Sequence, residues 1–196
     1  MGRRLLCSLG CCFTAATLAA VSAAGAAAPS SLVLQESDVP TNLVVAVSKT
    51  VSNAEIVREY PLTLKQLGAW GRLTGYRIEF GSTHKPTRLS TGPLAIKSSV
   101  SVCRTSFGAH AYYLNGRNAI PVGSRSKLAL SLGAESLMAS TTEVDHGLPL
   151  VLYSIGWRDG RYLASVLVSG IRGRLKPAEV IALARTQERK ISAAAH

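Results

Sequence analysis

Alternation of hydrophobic and polar residues is clearest in the last third of the chain. In residues 150–157 and 162–168, apolar side chains occupy every second position. This period-two pattern predicts two β-strands, each with one buried face. The Asp159-Gly160 dipeptide between them is typical of a two-residue type I′ turn, so we expect a hairpin in which Trp157 faces Tyr162.

One face of this hairpin is expected to be wholly apolar and to need a cover. Its residues are Val151, Tyr153, Ile155, Trp157, Tyr162, Ala164, Val166 and Val168. The segment that begins at Pro177 has helical spacing, with the proline in its first turn and Glu179 near the positive end of the helix dipole. Its predicted buried stripe comprises Val180, Leu183, Ala184, Gln187 and Ile191. We expect this C-terminal helix to pack on the hairpin.

Two further strands are predicted upstream, over residues 76–80 and 94–104. The second has an apolar face of Leu94, Ile96, Val100 and Val102, and an opposite face of Lys97, Ser99, Ser101 and Cys103. Cys103 is therefore expected to point away from the principal core.

Helical segments are predicted at residues 54–60, with Asn53 as N-cap, and at residues 63–72 after the interruption by Pro61. Another is expected over residues 107–113, ending at Asn115-Gly116, while the polar residues 134–147 are expected to form a surface connection. Together the elements predict an α+β domain, an antiparallel β-sheet with helices packed on one face and a C-terminal helix.

The first 26 residues have the pattern of a secretory signal peptide. Arg3 and Arg4 precede an apolar run over residues 5–21, and Ala24-Gly25-Ala26 fits the cleavage pattern. Residues 27–196 then form a single domain with a short mobile N-terminal arm. The alternatives are a retained membrane anchor, because residues 5–28 are long enough to cross a bilayer, and lipidation at Cys11 or Cys12.

Composition and charge narrow the classes of function. A hydrophobic fraction of 47% with 17% charged residues is that of a globular protein and excludes a wholly disordered or fibrous chain. The formal charge is +11, and loss of Arg3 and Arg4 with the signal lowers it by two, to +9. Cys103 would be the single cysteine of the secreted domain, so an intramolecular disulfide is excluded there.

No motif predicts a reaction, a cofactor or a metal site. Cys103 with His84, His110 or His146 is the candidate for a thiol-dependent enzyme, because a thiolate nucleophile needs a nearby proton acceptor or a positive field. The spacing pairs none of them, and a buried space-filling thiol is the simpler interpretation.

Two shorter matches also have simpler interpretations. Ser124-Arg125-Ser126-Lys127 has the S-x-x-K spacing of a lysine-activated serine, but its companion motifs are missing. Asp145-His146 lacks a further ligand at a recognisable spacing, and Asp38 with Glu36 is explained by a turn.

Basic residues form the candidate binding site. Five cations are expected near the two ends of the hairpin strands: Arg158, Arg161, Arg172, Arg174 and Lys176. They would attract an anionic polymer of the cell envelope, an acidic lipid surface or an acidic protein; the alternative is a solvated surface that keeps the protein soluble. Nucleic acid is disfavoured, because export removes the usual targets and no aromatic residues interleave with these cations.

Several local patterns resemble small exported domains of high-GC bacteria that have no assigned activity. They are Asp38-x-Pro40, Trp70-Gly71-Arg72, Gly75-Tyr76 with Phe80, the hairpin before Tyr162, and Leu183-Ala184-Arg185-x-Gln187-x-Arg189-x-Ile191. The resemblance covers nearly all of the mature chain and implies an extracytoplasmic α+β module without catalytic residues. The sequence thus predicts a secreted, non-enzymatic binding or accessory domain, and the alternative is an extracytoplasmic enzyme built around Cys103 and a histidine.

Export should remove about the first 26 residues. We expect N-terminal sequencing of secreted material to begin near Ala27, because the small residues of Ala24-Gly25-Ala26 fit the signal-peptidase site. An intact Met1 in the mature fraction would contradict cleavage and favour the anchor.

Overall fold

A computed structural model describes residues 27–126 and 128–195, and the predicted signal peptide, Lys127 and His196 lie outside the described residues. The strands are β1 (Leu43–Thr50), β2 (Arg72–Ser82), β3 (Ala95–Cys103), β4 (Glu135–Asp145), β5 (Leu148–Asp159) and β6 (Tyr162–Ile171). The helices are α1 (Asn53–Glu59), α2 (Leu64–Ala69), α3 (Ser106–Ala119) and α4 (Pro177–Ala195). The strands form one antiparallel sheet in the order β1-β2-β3-β6-β5-β4, so the predicted α+β class is confirmed.

The C-terminal helix α4 packs on one face of the sheet, which we call the core face. All five residues of the predicted stripe are buried: Val180, Leu183, Ala184, Gln187 and Ile191. They meet the apolar residues of β5 and β6, among which Trp157 and Val166 are fully buried. The expectation that α4 covers the hairpin is therefore confirmed.

A buried polar contact fixes where α4 lies on the sheet. The Ser98 hydroxyl of β3 donates to the Gln187 side-chain oxygen at 2.9 Å and accepts from the Leu34 backbone N–H at 3.0 Å. The Gln187 amide in turn donates to the Ser99 carbonyl at 3.0 Å. Because each buried polar atom has a partner, α4 and the segment around Leu34 are both held to the centre of the sheet.

The opposite face, which we call the second face, is covered by α1, α2 and α3. Lys97, Ser99, Ser101 and Cys103 alternate with core residues along β3, as the sequence predicts. A satellite cluster of Val51, Ile56 and Leu67 joins α1 to α2, and Tyr112 of α3 packs against it. The molecule therefore has a large core on one face and a small apolar cluster on the other.

The register of the β5–β6 hairpin differs from the expected one. Trp157 pairs with Ala164, and Asp159 pairs with Tyr162, so the two turn residues are Gly160 and Arg161. Glycine at the first turn position, with φ of 50°, is the arrangement of a type II′ turn. The predicted pairing of Trp157 with Tyr162 is wrong by two residues. Since the shift is even, the apolar face of the hairpin is unchanged.

Three other predictions are also wrong, those for residues 134–147, for the end of α3 and for the N-cap of α1. Residues 134–147 contain strand β4, which lies at the sheet edge and exposes most of its outer half, so its polar sequence did not suggest a strand. Helix α3 continues through Asn115-Gly116 to Ala119, because a glycine inside a helix weakens it without ending it. At α1 the N-cap is Ser52, whose side chain forms a capping box with Glu55, and Asn53 begins the helix.

Close packing at the start of α3 yields a test with a matched control. A Cβ atom added at Gly108 would lie 2.0 Å from the Trp70 carbonyl oxygen, whereas one added at Gly116 has no heavy atom within 4 Å. We expect Gly108→Ala to lower the free energy of unfolding by about 1–3 kcal/mol through overpacking. Gly116→Ala in the same helix should raise it by about 0.5–1 kcal/mol. Urea denaturation of both variants measures this difference, and equal effects would contradict the close contact.

Candidate ligand-binding cavity

A cavity of about 410 Å³ lies between the second face of the sheet and the helices above it. Its floor is a row of small residues that crosses three strands. Ser99 of β3 pairs with Ser165 of β6, which pairs with Gly156 of β5. The two serine hydroxyl oxygens are 2.8 Å apart. Because none of these side chains is large, α3 crosses the sheet here without filling the space beneath it.

The walls of the cavity are largely apolar and aromatic. Ile56 and Leu62 line it from the α1–α2 side, and Tyr112 and Ile120 line it from α3. The Tyr112 ring stacks on Trp70, with centroids 5.2 Å apart and an interplanar angle of 16°. This stacking joins α3 to the end of α2, so the two walls are held at a fixed separation.

Arg72 is the buried cation of the cavity wall. It stands at the start of β2, and only 4% of its surface is exposed. Its guanidinium donates to three neutral oxygens: Ser101 Oγ at 3.1 Å, Asn53 Oδ1 at 2.6 Å and the Val51 carbonyl at 3.0 Å. None of the ion pairs found among the described residues includes Arg72. Burial accordingly lowers the pKa of Arg72 from its ordinary value.

The absence of a side chain at Gly75 makes room for this guanidinium. A Cβ atom at Gly75 would lie 2.5 Å from Arg72 Nη2 and 2.6 Å from the Val100 carbonyl oxygen. Any larger residue would therefore displace either the arginine or strand β3. Gly75 and Arg72 form one local arrangement, three residues apart on the same strand.

Arg77, a second buried arginine in the lining, has acidic partners. Its Nη2 atom donates to both carboxylate oxygens of Glu59, at 2.8 and 2.7 Å, and Nη1 donates to Glu79 at 3.4 Å. Lys97 lies 3.7 Å from the same Glu79 carboxylate. Hydrogen bonding by Arg77 lowers the pKa of Glu59. Arg77 and Lys97 are thus neutralised by two carboxylates, whereas Arg72 is not.

Cys103 lies beside Arg72 in the β2–β3 pairing, but it has the properties of a packed thiol. It is fully buried, and desolvation raises its pKa to about 11 against the opposing effect of Arg72. The three candidate histidines have contacts elsewhere: His84 with Thr83, His110 with Glu135 and His146 with Asp145. The structure therefore pairs none of these three histidines with Cys103, and the nearby Arg72 does not offset the desolvation of the thiol.

The five predicted anion-binding residues lie in two groups at opposite ends of β6. Arg158 binds Glu135 at 3.0 Å, and the Arg161 guanidinium lies 5.5 Å from the centre of the Tyr162 ring. Beyond the other end of β6, Arg172, Arg174 and Lys176 are exposed in the connection to α4. The ten residues of β6 separate the groups by about 30 Å, so one small ligand cannot contact both.

The remaining sequence matches form no catalytic or metal-binding arrangement among the described residues. His146 is at the exposed β4–β5 turn, and Asp38 closes a turn by accepting from the Gln35 backbone N–H at 2.7 Å and also binds Lys190. Within residues 27–126 and 128–195, no group of three metal-ligating side chains is found. Lys127 of the S-x-x-K match lies outside the described residues.

Sequence reasoning missed the residues of the cavity itself. Arg72 was part of the Trp70-Gly71-Arg72 pattern, to which no binding role was assigned, and Ser99 was placed only on the face of its strand opposite the apolar one. One signal was present: an arginine three residues before a glycine, at the start of a strand whose alternate residues are buried. That pattern does not reveal whether a carboxylate lies opposite the arginine, which depends on the tertiary fold.

Comparison with known proteins gives a likeness of fold. No protein-family model matches the chain, and no curated protein matches it in sequence. The structure is similar to the crystal structure of the extracellular domain of PknH from Mycobacterium tuberculosis, with a TM-score of 0.51 and 9% identity. The match covers 84% of this chain and 94% of that one. The neighbour comes from a high-GC bacterium, in agreement with the coarser part of the expected resemblance, and at this identity it shows the fold alone.

The thiol of Cys103 should react slowly in the folded protein. With a pKa of about 11, on the order of one thiol in a thousand is ionised at pH 8, and burial also blocks access. We expect iodoacetamide labelling, followed by mass spectrometry, to be slow in buffer and fast in urea. Cys103→Ser should cost no more than about 2 kcal/mol of stability and leave ligand binding unchanged. Rapid labelling of the native protein at pH 7 would contradict this expectation and would favour the hypothesis of a thiol-dependent enzyme.

Proposed function

We propose that the protein is an extracytoplasmic, non-catalytic binding domain whose ligand occupies the cavity on the second face of the sheet. The observation that carries this proposal is the cavity itself, whose volume of about 410 Å³ is within the range of small-molecule sites. Its lining combines aromatic and aliphatic walls with a few hydroxyl and guanidinium groups, which is the usual composition of such sites.

The placement of nucleophilic groups favours binding over catalysis. Cys103 is buried outside the cavity lining, and burial raises the pKa of its thiol. Among the described residues, the hydrogen bonds and ion pairs of His84, His110 and His146 are formed with groups other than Cys103. The hydroxyls that do line the floor, those of Ser99 and Ser165, bond to each other. A serine nucleophile would need a base within hydrogen-bond reach instead.

An extracytoplasmic location is supported by the signal-peptide pattern of residues 1–26. None of the helices in residues 27–126 and 128–195 is both long and apolar enough to span a membrane. The protein with a similar fold is described as an extracellular domain, and that description concerns the neighbour. The signal-peptide pattern and, by analogy, the description of the neighbour support a domain that works outside the cytoplasm.

The exposed cations Arg172, Arg174 and Lys176 support a second candidate, in which the partner is anionic and binds at the surface. These residues follow β6 and lie away from the cavity lining. Such binding would be steeply salt-dependent, because the screening length falls from about 10 Å at 0.1 M to about 3 Å at 1 M. The two candidate functions therefore differ in where the ligand binds and in how strongly added salt weakens its binding.

Filling the mouth of the cavity tests the first candidate. Gly116 lines the cavity from α3 and Gly68 lies on α2 outside it, and a Cβ atom at either glycine has no heavy atom within 4 Å. We expect Gly116→Trp to lower the affinity for the neutral fluorescent dye N-phenyl-1-naphthylamine about tenfold or more, a loss of about 1.4 kcal/mol. Gly68→Trp, the matched control, should bind the dye as the unmodified protein does.

The readout is the rise in dye fluorescence on titration with protein, with the unfolding midpoint of each variant measured in parallel. Equal dye affinity in the two tryptophan variants, with both folded, would place dye binding outside the cavity and contradict the proposal.

A further inference from the structure

Arg72 is a feature of the cavity that an apolar ligand does not explain. Burying an uncompensated charge costs free energy, and a guanidinium 4% exposed normally has a carboxylate beside it. Arg77, on the same strand, shows that alternative, since Glu59 binds it with both oxygens. Of these two buried arginines in the lining, Arg77 is thus neutralised by a carboxylate, whereas Arg72 has only neutral hydrogen-bond acceptors.

We propose that the cavity takes an amphipathic anion, with an apolar body against the walls and a single carboxylate, sulfonate or phosphate group bound by Arg72. This inference rests on the proposed function and names the chemical class of its ligand. The anionic group of the ligand supplies the charge that the protein does not.

The hydrogen bonds of Arg72 leave donors for such a group. A guanidinium has five N–H bonds, and Ser101, Asn53 and the Val51 carbonyl each accept one, from Nε, Nη1 and Nη2 respectively. Each terminal nitrogen keeps one N–H that these three bonds do not use, and the Tyr112 hydroxyl also lies close to the guanidinium. A carboxylate or phosphate can accept hydrogen bonds from a guanidinium, and the three internal bonds hold the Arg72 side chain in place.

The charges around the cavity have the sign that an anion requires. The charged residues of the lining are Arg72, Arg77, Lys97 and Arg117, all of them cations. Glu59 and Glu79 offset Arg77 and Lys97 from outside the lining, which leaves Arg72 inside and Arg117 at the exposed end of α3. An anionic ligand would thus meet one cation at the entrance and another within.

The aliphatic residues supply the surface for the apolar body of the ligand. Ile56 and Leu62 lie on one wall, Ile120 on the other, and Leu137 and Leu163 belong to the sheet beneath. Burial of carbon atoms against this surface is favourable in proportion to the area removed from water. A fully hydrated small anion would gain nothing from it, so the proposal is specific to amphipathic anions.

Two dyes that differ by one group test this inference on the unmodified protein. N-Phenyl-1-naphthylamine is neutral, and 8-anilino-1-naphthalenesulfonate carries a sulfonate on the same ring system. We expect the sulfonate dye to bind about tenfold to a hundredfold more tightly, as a charge-assisted hydrogen bond in a buried site would give. Displacement of the neutral dye by dodecanoate and by dodecyl phosphate, compared with 1-dodecanol, shows which anionic group is preferred.

Salt concentration separates the cavity from the exposed surface cations. A pair formed with buried Arg72 is screened much less than one formed with exposed Arg172, Arg174 and Lys176. Most of the preference for the sulfonate dye should therefore persist at 1 M salt. Replacement of all three surface cations with glutamine should leave it unchanged, and its loss in that triple variant would assign anion binding to the surface instead.

Variants at the cavity complete the test. Arg72→Met should abolish the preference for the sulfonate dye, so that the ratio of the two dye affinities falls to about one. Arg117→Gln should weaken the preference for the sulfonate dye about twofold to fivefold at low salt, as expected for an exposed charge. Arg185→Gln, which replaces another exposed arginine on α4, the helix that packs on the core face, should have no effect. If Arg72→Met fails to fold, the inference is tested by the relative affinity of the two dyes for the unmodified protein and by the difference between Arg117→Gln and Arg185→Gln.

The outcomes distinguish this inference from the proposed function. Equal affinity for the two dyes, with Gly116→Trp blocking both, would overturn the anionic ligand and leave the binding cavity standing. Dye binding that Gly116→Trp does not reduce would overturn both.

Discussion

Packing of α4 against the core face is the constraint from which the rest of the structure follows. The large apolar residues of β5 and β6, such as Trp157 and Val166, point toward this helix and are fully buried there. Successive residues of a strand point to opposite faces, so the residues between them face the other way. In the row of Ser99, Ser165 and Gly156 these residues are small. The core face is therefore well packed, whereas α3 covers the second face and leaves a cavity between itself and the sheet.

The cavity is maintained because its walls are tied together elsewhere. Tyr112 stacks on Trp70 at one side, and Gly108 allows α3 to approach the Trp70 carbonyl oxygen closely. Arg72 then connects α1, β2 and β3 through Asn53, the Val51 carbonyl and Ser101. Without such bonds, relaxation of α3 toward the sheet would recover the contacts that an empty space forfeits.

Sequence patterns predict the core face well and the second face poorly, for a physical reason. The stripe of α4 and the apolar face of the hairpin are local periodicities, and both survive the two-residue error in the turn because an even shift preserves the faces. Strand β4 was missed because an edge strand pairs on one side, so half of its residues remain polar and exposed. The isolation of Arg72 was not predictable, since it depends on Glu59 of α1 binding Arg77 and not Arg72.

The neighbouring Cys103 and Arg72 show how burial sets the chemistry available on the second face. Arg72 favours the thiolate of Cys103 electrostatically, yet the loss of hydration outweighs it and the pKa of the thiol rises to about 11. The same burial lowers the pKa of Arg72. The cation therefore neither activates the thiol nor acquires a counter-ion from it at neutral pH. An anion that brings its own apolar surface into the cavity would supply that counter-ion, and burial of its apolar body against the walls would offset part of the cost of removing the anionic group from water.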